Sequence, residues 1–170
     1  GASLNLRADT LSNRNSGDRG GVISQGPMTL NAGTLDSTAG VLLSGDALSL
    51  TAGVVNNTSG QVVANGLLGW NSQALNNQSG LIQGRGISIN TAGQTLDNRR
   101  GTLNSLQELT VSTGAMDNRG GTVGAKTTAD LSTTSLDYRE GGRLVSDGEL
   151  RLQTGGLLNS HGQIQSVGDR

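Results

Sequence analysis

Apolar residues along this chain fall in short alternating pairs, and the pairs recur about every 20 residues. One unit reads from Gly40 to Ser59: Leu42 and Ser44, then Leu48-Ser49-Leu50, then Gly53, then Val55-Asn56-Asn57. The place of Leu42 is taken elsewhere by Val22, Val62, Ile82, Leu103, Val123 and Ile164, with Leu144 displaced by one. Two positions later stands a small residue, as at Ser24, Ser44, Ala64, Gly84, Ser105, Ala125, Ser146 and Ser166. Spacing of this kind has period 2, which predicts a short strand with one face inward. A second strand is predicted at Leu4-x-Leu6, Met28-x-Leu30, Leu48-x-Leu50, Leu68-x-Trp70, Ile87-x-Ile89, Leu109-x-Val111, Ala129-x-Leu131 and Leu150-x-Leu152. A third begins at Leu11, Leu35, Val55, Leu75, Leu96, Met116, Leu136 and Leu158. No window carries the i, i+3, i+4, i+7 apolar spacing of a helix.

A glycine marks each unit, at Gly20, Gly40, Gly60, Gly80, Gly101, Gly121, Gly141 and Gly162. A fixed period near 20 with three short strands per unit predicts stacked coils, each packed on its two neighbours. A strand that returns parallel in the same sheet crosses over right-handed in about 98% of cases. The predicted fold is therefore all-β: a right-handed parallel β-helix, a three-sided solenoid of about eight coils of about 20 residues. At about 4.8 Å per coil the rod is roughly 40 Å long.

Two further columns follow from this register. A glycine after the second strand (Gly33, Gly53, Gly93, Gly114, Gly155) predicts positive φ at a corner. A polar pair follows the third-strand apolar residue: Ser12-Asn13, Asp36-Ser37, Asn56-Asn57, Asn76-Asn77, Asp97-Asn98, Asp117-Asn118, Asp137-Tyr138 and Asn159-Ser160. With Leu75 inward, Asn77 is inward too, and stacked asparagines there can pass hydrogen bonds from coil to coil. Tyr138 interrupts this ladder and is expected to turn outward.

Composition narrows the reading. Phe and Cys are absent, Trp and Tyr occur once each, and 28 residues are glycine. A globular core of this length would bury several aromatics. The hydrophobic fraction of 32% is low, yet net charge is only −1 and the apolar residues keep register, which favours order over disorder. Without Cys there are no disulfides and no cysteine metal sites. No apolar run has membrane-span length, so no membrane insertion by this segment is expected. Near-neutral charge gives no electrostatic reason to expect nucleic acid. Residues 1–170 read as a single β-helix segment; both ends fall in mid-pattern, so a piece cut from a longer filament is expected.

The strings Leu96-Asp97-Asn98-Arg99-Arg100-Gly101-Thr102-Leu103, Met116-Asp117-Asn118-Arg119-Gly120-Gly121-Thr122-Val123 and Leu48-Ser49-Leu50-Thr51-Ala52-Gly53 resemble the haemagglutinin repeats of filamentous haemagglutinin-like exoproteins. Those are exported by two-partner secretion systems of Gram-negative bacteria and include carriers of contact-dependent growth inhibition toxins. The resemblance implies a β-helical filament, secreted and displayed on the cell surface, with an outer-membrane transporter as partner of the parent protein. A target-cell receptor or host surface is a further implied partner.

Few residues invite chemistry. Asp97, Asp117 and Asp137 fall at one position of successive coils, where stacked carboxylates could recruit calcium. Arg99, Arg119 and Arg139 run parallel two residues on and predict a paired surface ladder instead. The register puts Trp70 in the core, beside Gly66 and Gly69. His161, the only histidine, is read as solvated in the turn position of Thr58, Gln78 and Arg119, with no nucleophile and base around it. Asn15-Ser16-Gly17-Asp18 is the one clear insertion, a surface loop. No catalytic, cofactor or metal residue is assigned, and no cofactor is expected. The leading reading is a structural stalk, not an enzyme. A receptor-binding tract is the alternative, using the loop or the exposed row Thr29, Ser49, Gly69, Ser88, Thr110, Asp130 and Arg151. A polysaccharide-degrading β-helix enzyme ranks last, because short coils leave no loops to wall a cleft.

Overall fold

The computed structural model describes residues 2–17 and 20–168. Among them there is no helix, and the strands form two parallel sheets wound around one core. The eight-stranded sheet stacks the first strand of each coil, from Val22–Ser24 and Val41–Ser44 through Gln61–Ala64, Leu81–Gly84, Thr102–Ser105, Thr122–Ala125 and Arg143–Ser146 to Gln163–Ser166. The thirteen-stranded sheet contains the second and third strands. These are separate from Leu67–Asn71 and Leu75–Asn76 onwards. In the first three coils they run together as the nine-residue strands Leu4–Ser12, Met28–Asp36 and Leu48–Asn56. The chain is thus the predicted stack of coils, with two of its three sides merged at one end.

The inward register is the one the alternation dictates. Leu30, Leu42, Leu50, Val62, Ile82, Leu96, Leu103, Val123, Leu131 and Leu144 are fully enclosed. Each such side chain taken from water contributes about 1.5–3 kcal/mol, and a coil supplies several. Leu144 pairs with Val123 on one side and Ile164 on the other, so it is in register and not displaced. The apparent slip comes from choosing the wrong glycine: the Cα of Gly142, not Gly141, packs on the Asn118 carbonyl. Tyr138-Arg139-Glu140-Gly141-Gly142 holds one residue more than Asn118-Arg119-Gly120-Gly121, and Glu140 and Gly141 take φ 57° and 80° to absorb it.

From Gly40 on, the repeat glycine is required by proximity, not by its dihedral, whereas a β-carbon on Gly20 would meet nothing, so Gly20 does not hold the register as the sequence suggests. A β-carbon on Gly101 would collide with the Asn77 carbonyl oxygen of the preceding coil, and one on Gly121 with that of Asn98. The corner glycines correct the expectation in the same way. Of the five, only Gly93 has positive φ, at 78°; Gly53 instead lies so close to the Gly33 carbonyl that a β-carbon would strike it. Positive φ falls on the residue before the repeat glycine: Ala39, Ser59, Ser79, Arg100 and His161, between 51° and 60°. A non-glycine there is strained, and the same strained turn recurs coil after coil.

Candidate functional site

Two polar columns run along the rod, one buried and one half-buried. Both grow from the pair after the third strand, because consecutive residues of a strand face opposite sides. Asn57, Asn77, Asn98 and Asn118 are buried. Each of the first three donates its Nδ2–H to the Oδ1 of the next at 2.7 Å. The amides also lie 3.2–3.5 Å from the carbonyl of their own coil's glycine. Ser37 precedes this run and Tyr138 follows it. Tyr138 is not turned outward, as the sequence predicts, but fully buried, with no partner for its hydroxyl among the described residues. Burial pushes its phenol far above the usual tyrosine range. The next member of the column is Asn159, since Leu157 pairs with Leu136 and Leu158 with Asp137; the predicted third-strand start at Leu158 is one residue late.

The half-buried column is Asp36, Asn56, Asn76, Asp97, Asp117 and Asp137. Each accepts the backbone N–H two residues on, at 3.0–3.2 Å, an Asx turn repeated coil by coil. At Asp97, Asp117 and Asp137 the residue that supplies this N–H is arginine. Arg99, Arg119 and Arg139 bring their Nη2 to 2.7 Å from their own aspartates. Arg99 and Arg119 also reach the aspartate of the following coil at 3.7 Å. The carboxylates are thus neutralised by the arginine row, as the sequence predicts. The Arg139 guanidinium holds the Asp137 carboxyl below the usual range. Burial pushes that of Asp117 up, but the Arg119 side chain and backbone N–H outweigh it, and the net direction is down.

The remaining residues singled out from the sequence do not converge. Trp70 is buried and donates its Nε1–H to Ser72 Oγ at 2.9 Å. Gly69 does not make room for it, because a β-carbon there would point into open space; Gly66 is packed on Asp46 and Ala47 of the preceding coil. His161 is exposed, meets Ser160 through Nδ1 at 3.1 Å, and occupies the strained position of Gly120, not that of Arg119. In the insertion Asn15 stays in register, donating to the Thr38 carbonyl, so the extra residues follow Ser16. Asp18 lies outside the described residues. The row from Thr29 to Arg151 is aligned as predicted. Sequence reading missed a further hydroxyl column at the corner after the second strand. There Ser72, Thr91 and Thr113 are buried, and Thr91 donates to Thr113 at 2.7 Å. It also missed an apolar outer patch of Ile23, Val41, Leu43, Val63 and Leu81 on the first sheet.

The depressions on this surface are open grooves between columns. One of about 160 Å3 is lined by Gln78, Ser79, Arg99, Arg100, Arg119 and Glu140, whose charges are mostly committed to ion pairs. Ser160 and His161 meet in a second, more open groove with Arg119, Arg139, Glu140 and Gly141, but this groove is shallow and does not wall them in.

The sequence profile of the haemagglutinin repeat matches residues 1–72, 47–100, 88–137 and 127–169, in effect the whole chain. The chain belongs to the haemagglutinin repeat family. No curated protein and no solved structure matches it. The haemagglutinin repeat is a structural repeat of secreted or cell-surface exoproteins, and the columns above are its physical content in this chain. The recurring asparagine is the buried ladder, the recurring aspartate is the Asx turn, and the recurring glycine is the point where one coil rests on the last.

Proposed function

We propose that this tract is a rigid stalk which carries a distal adhesive or toxic domain away from a Gram-negative cell. The parent protein reaches the surface through an outer-membrane transporter of the two-partner type. The observation that carries this reading is the continuity of three stacked sides: every coil pairs with the next in parallel register, and polar columns tie the corners. Such an array gains length by adding coils, and its stability is roughly additive in them. Its function is then passive: distance and stiffness.

The test uses the purified segment and target cells. No saturable binding is expected, and deletion of whole coils from the parent exoprotein should shorten the filament by about 4.8 Å per coil in electron micrographs. Saturable binding that competes with the intact exoprotein would replace the stalk reading with that of a receptor-binding tract.

A further inference from the structure

The buried ladder contains one gap, and its chemistry defines what fills it. Asn13 donates to Ser37 Oγ at 3.1 Å, and Asn57, Asn77 and Asn98 donate onwards to Oδ1 of the next asparagine. Between Ser37 and Asn57 the chain of bonds stops. Among the described residues Asn57 Oδ1 accepts from no donor, and the Ser37 hydroxyl proton meets no acceptor. Both residues are 0% exposed. A buried acceptor left unmet is destabilising, so native folds satisfy such groups, often with a buried water.

The neighbouring coils show what belongs there. At Asn57, Asn77 and Asn98 the Nδ2 faces three acceptors: Oδ1 of the next asparagine, the carbonyl of its own coil's glycine, and a carbonyl at the start of a first strand. For Asn77 these are Asn98 Oδ1 at 2.7 Å, Gly80 O at 3.4 Å and Thr102 O at 3.3 Å. The equivalents around Ser37 are Asn57 Oδ1, Gly40 O and Gln61 O, by the register that pairs Gln61 with Val41 and Leu81. Serine is shorter than asparagine by the amide group, and an amide nitrogen and a water are of similar size. Beside Gly80, Gly101 and Gly121 the preceding coil's Nδ2 lies 3.0–3.1 Å from the β-carbon position. Beside Gly60 the three nearest atoms are Ser37 O and the Oδ1 and Cγ of Asn57.

We propose that a single buried water occupies the Nδ2 position of the Ser37 coil. It accepts the Ser37 hydroxyl proton and donates to Asn57 Oδ1 and to one of the two carbonyls, which gives it the two to four polar partners an internal water needs. The polar column then runs without a break from Asn13 to Asn118. Serine at this position makes that coil's link an exchangeable water, where asparagine would make it a direct side-chain hydrogen bond.

The experiment is a high-resolution crystal structure of the segment and of Ser37→Asn, with thermal unfolding of both and of Ser37→Ala. The expected result is a density peak within hydrogen-bonding reach of Ser37 Oγ and Asn57 Oδ1. In Ser37→Asn the amide should replace it, with melting raised by about 2–4 °C from one direct bond gained. Ser37→Ala keeps the space but removes a partner, and should melt lower than the parent. Three results would each overturn the proposal: an empty site, a protein donor on Asn57 Oδ1, or, in Ser37→Asn, an introduced amide rotated out of the column with lowered melting.

Discussion

The side-chain amide of Asn77 donates to Oδ1 of Asn98 at 2.7 Å, one coil further along the rod. Asn77 and Asn98 are each donor to one neighbour and acceptor to the other, so removing either strands atoms on both sides. Asn98→Ala leaves Asn118 Oδ1 buried without its donor and Asn77 Nδ2 without its best acceptor. The expected loss is about 2–4 kcal/mol, read as a lower midpoint in chemical denaturation. The outward Asn104→Ala should change the midpoint little, and equal losses would refute the ladder as a source of stability.

Two glycines on one rod should respond in opposite ways to the same methyl group. Gly101→Ala places a β-carbon on the Asn77 carbonyl and forces coils apart, at a cost of several kcal/mol. Gly69→Ala meets nothing, and alanine stiffens the unfolded chain, so its stability should hold or rise by about 0.4–1 kcal/mol. Thermal melts of the two variants decide between proximity and dihedral freedom as the reason for the repeat glycine.

Tyr138 is the only tyrosine, so its titration can be read without interference. Its buried hydroxyl has no partner among the described residues, and Tyr138→Phe should therefore keep or raise the melting temperature. Burial raises the phenol's folded pKa, so the stabilisation is fully present below the unfolded value of about 10 and is lost as pH rises above it. Phenolate absorbance should accordingly appear only together with loss of the β spectrum. Free titration of the phenol in the folded protein would mean the side chain is outside the core.

Acid should act through the half-buried column. Asp36, Asp117 and Asp137 have folded pKa values below the ordinary carboxylate range. Stability from them is present above the unfolded value of about 3.9 and drains away as pH falls through the folded ones. Melting temperature should be flat from neutral pH to about 5 and then decline, more gently in Arg119→Ala and Arg139→Ala, whose carboxylates have less to lose. High salt should narrow the difference, since these pairs are open to solvent.

Much of this molecule is legible in its sequence because inward and outward residues alternate within every short strand. Leu48-Ser49-Leu50 and Asn76-Asn77 declare their faces without reference to anything distant. What is not legible depends on contacts between coils. Gly141 and Gly142 are alike as letters, and only the Asn118 carbonyl behind Gly142 says which one carries the register. Tyr138 reads as an outward interruption because its hydroxyl wants a partner, yet the apolar ring follows the inward alternation set by Leu136 and remains in the column. The merging of two sides at Leu48–Asn56 and their separation from Leu67 onwards goes with Ala52 giving way to Ser72 and Thr91 at the corner. The break in the ladder after Ser37 follows from one missing amide group, which a column of letters marks only as a serine among asparagines.

Every backbone bond between coils points along the rod, from Asn57 N to Asn76 O or from Asn98 N to Asp117 O. Tension on the ends therefore loads these bonds in peeling, a few at a time, instead of shearing a whole sheet at once. A pulled filament yields one coil after another and releases chain at nearly constant force. Each coil of about 20 residues gives up roughly 70 Å of extended chain at about 3.3–3.6 Å per residue, more than ten times the 4.8 Å it occupied. A filament of such coils would then lengthen under strain before it broke, and rewind from the intact coils when the pull relaxed.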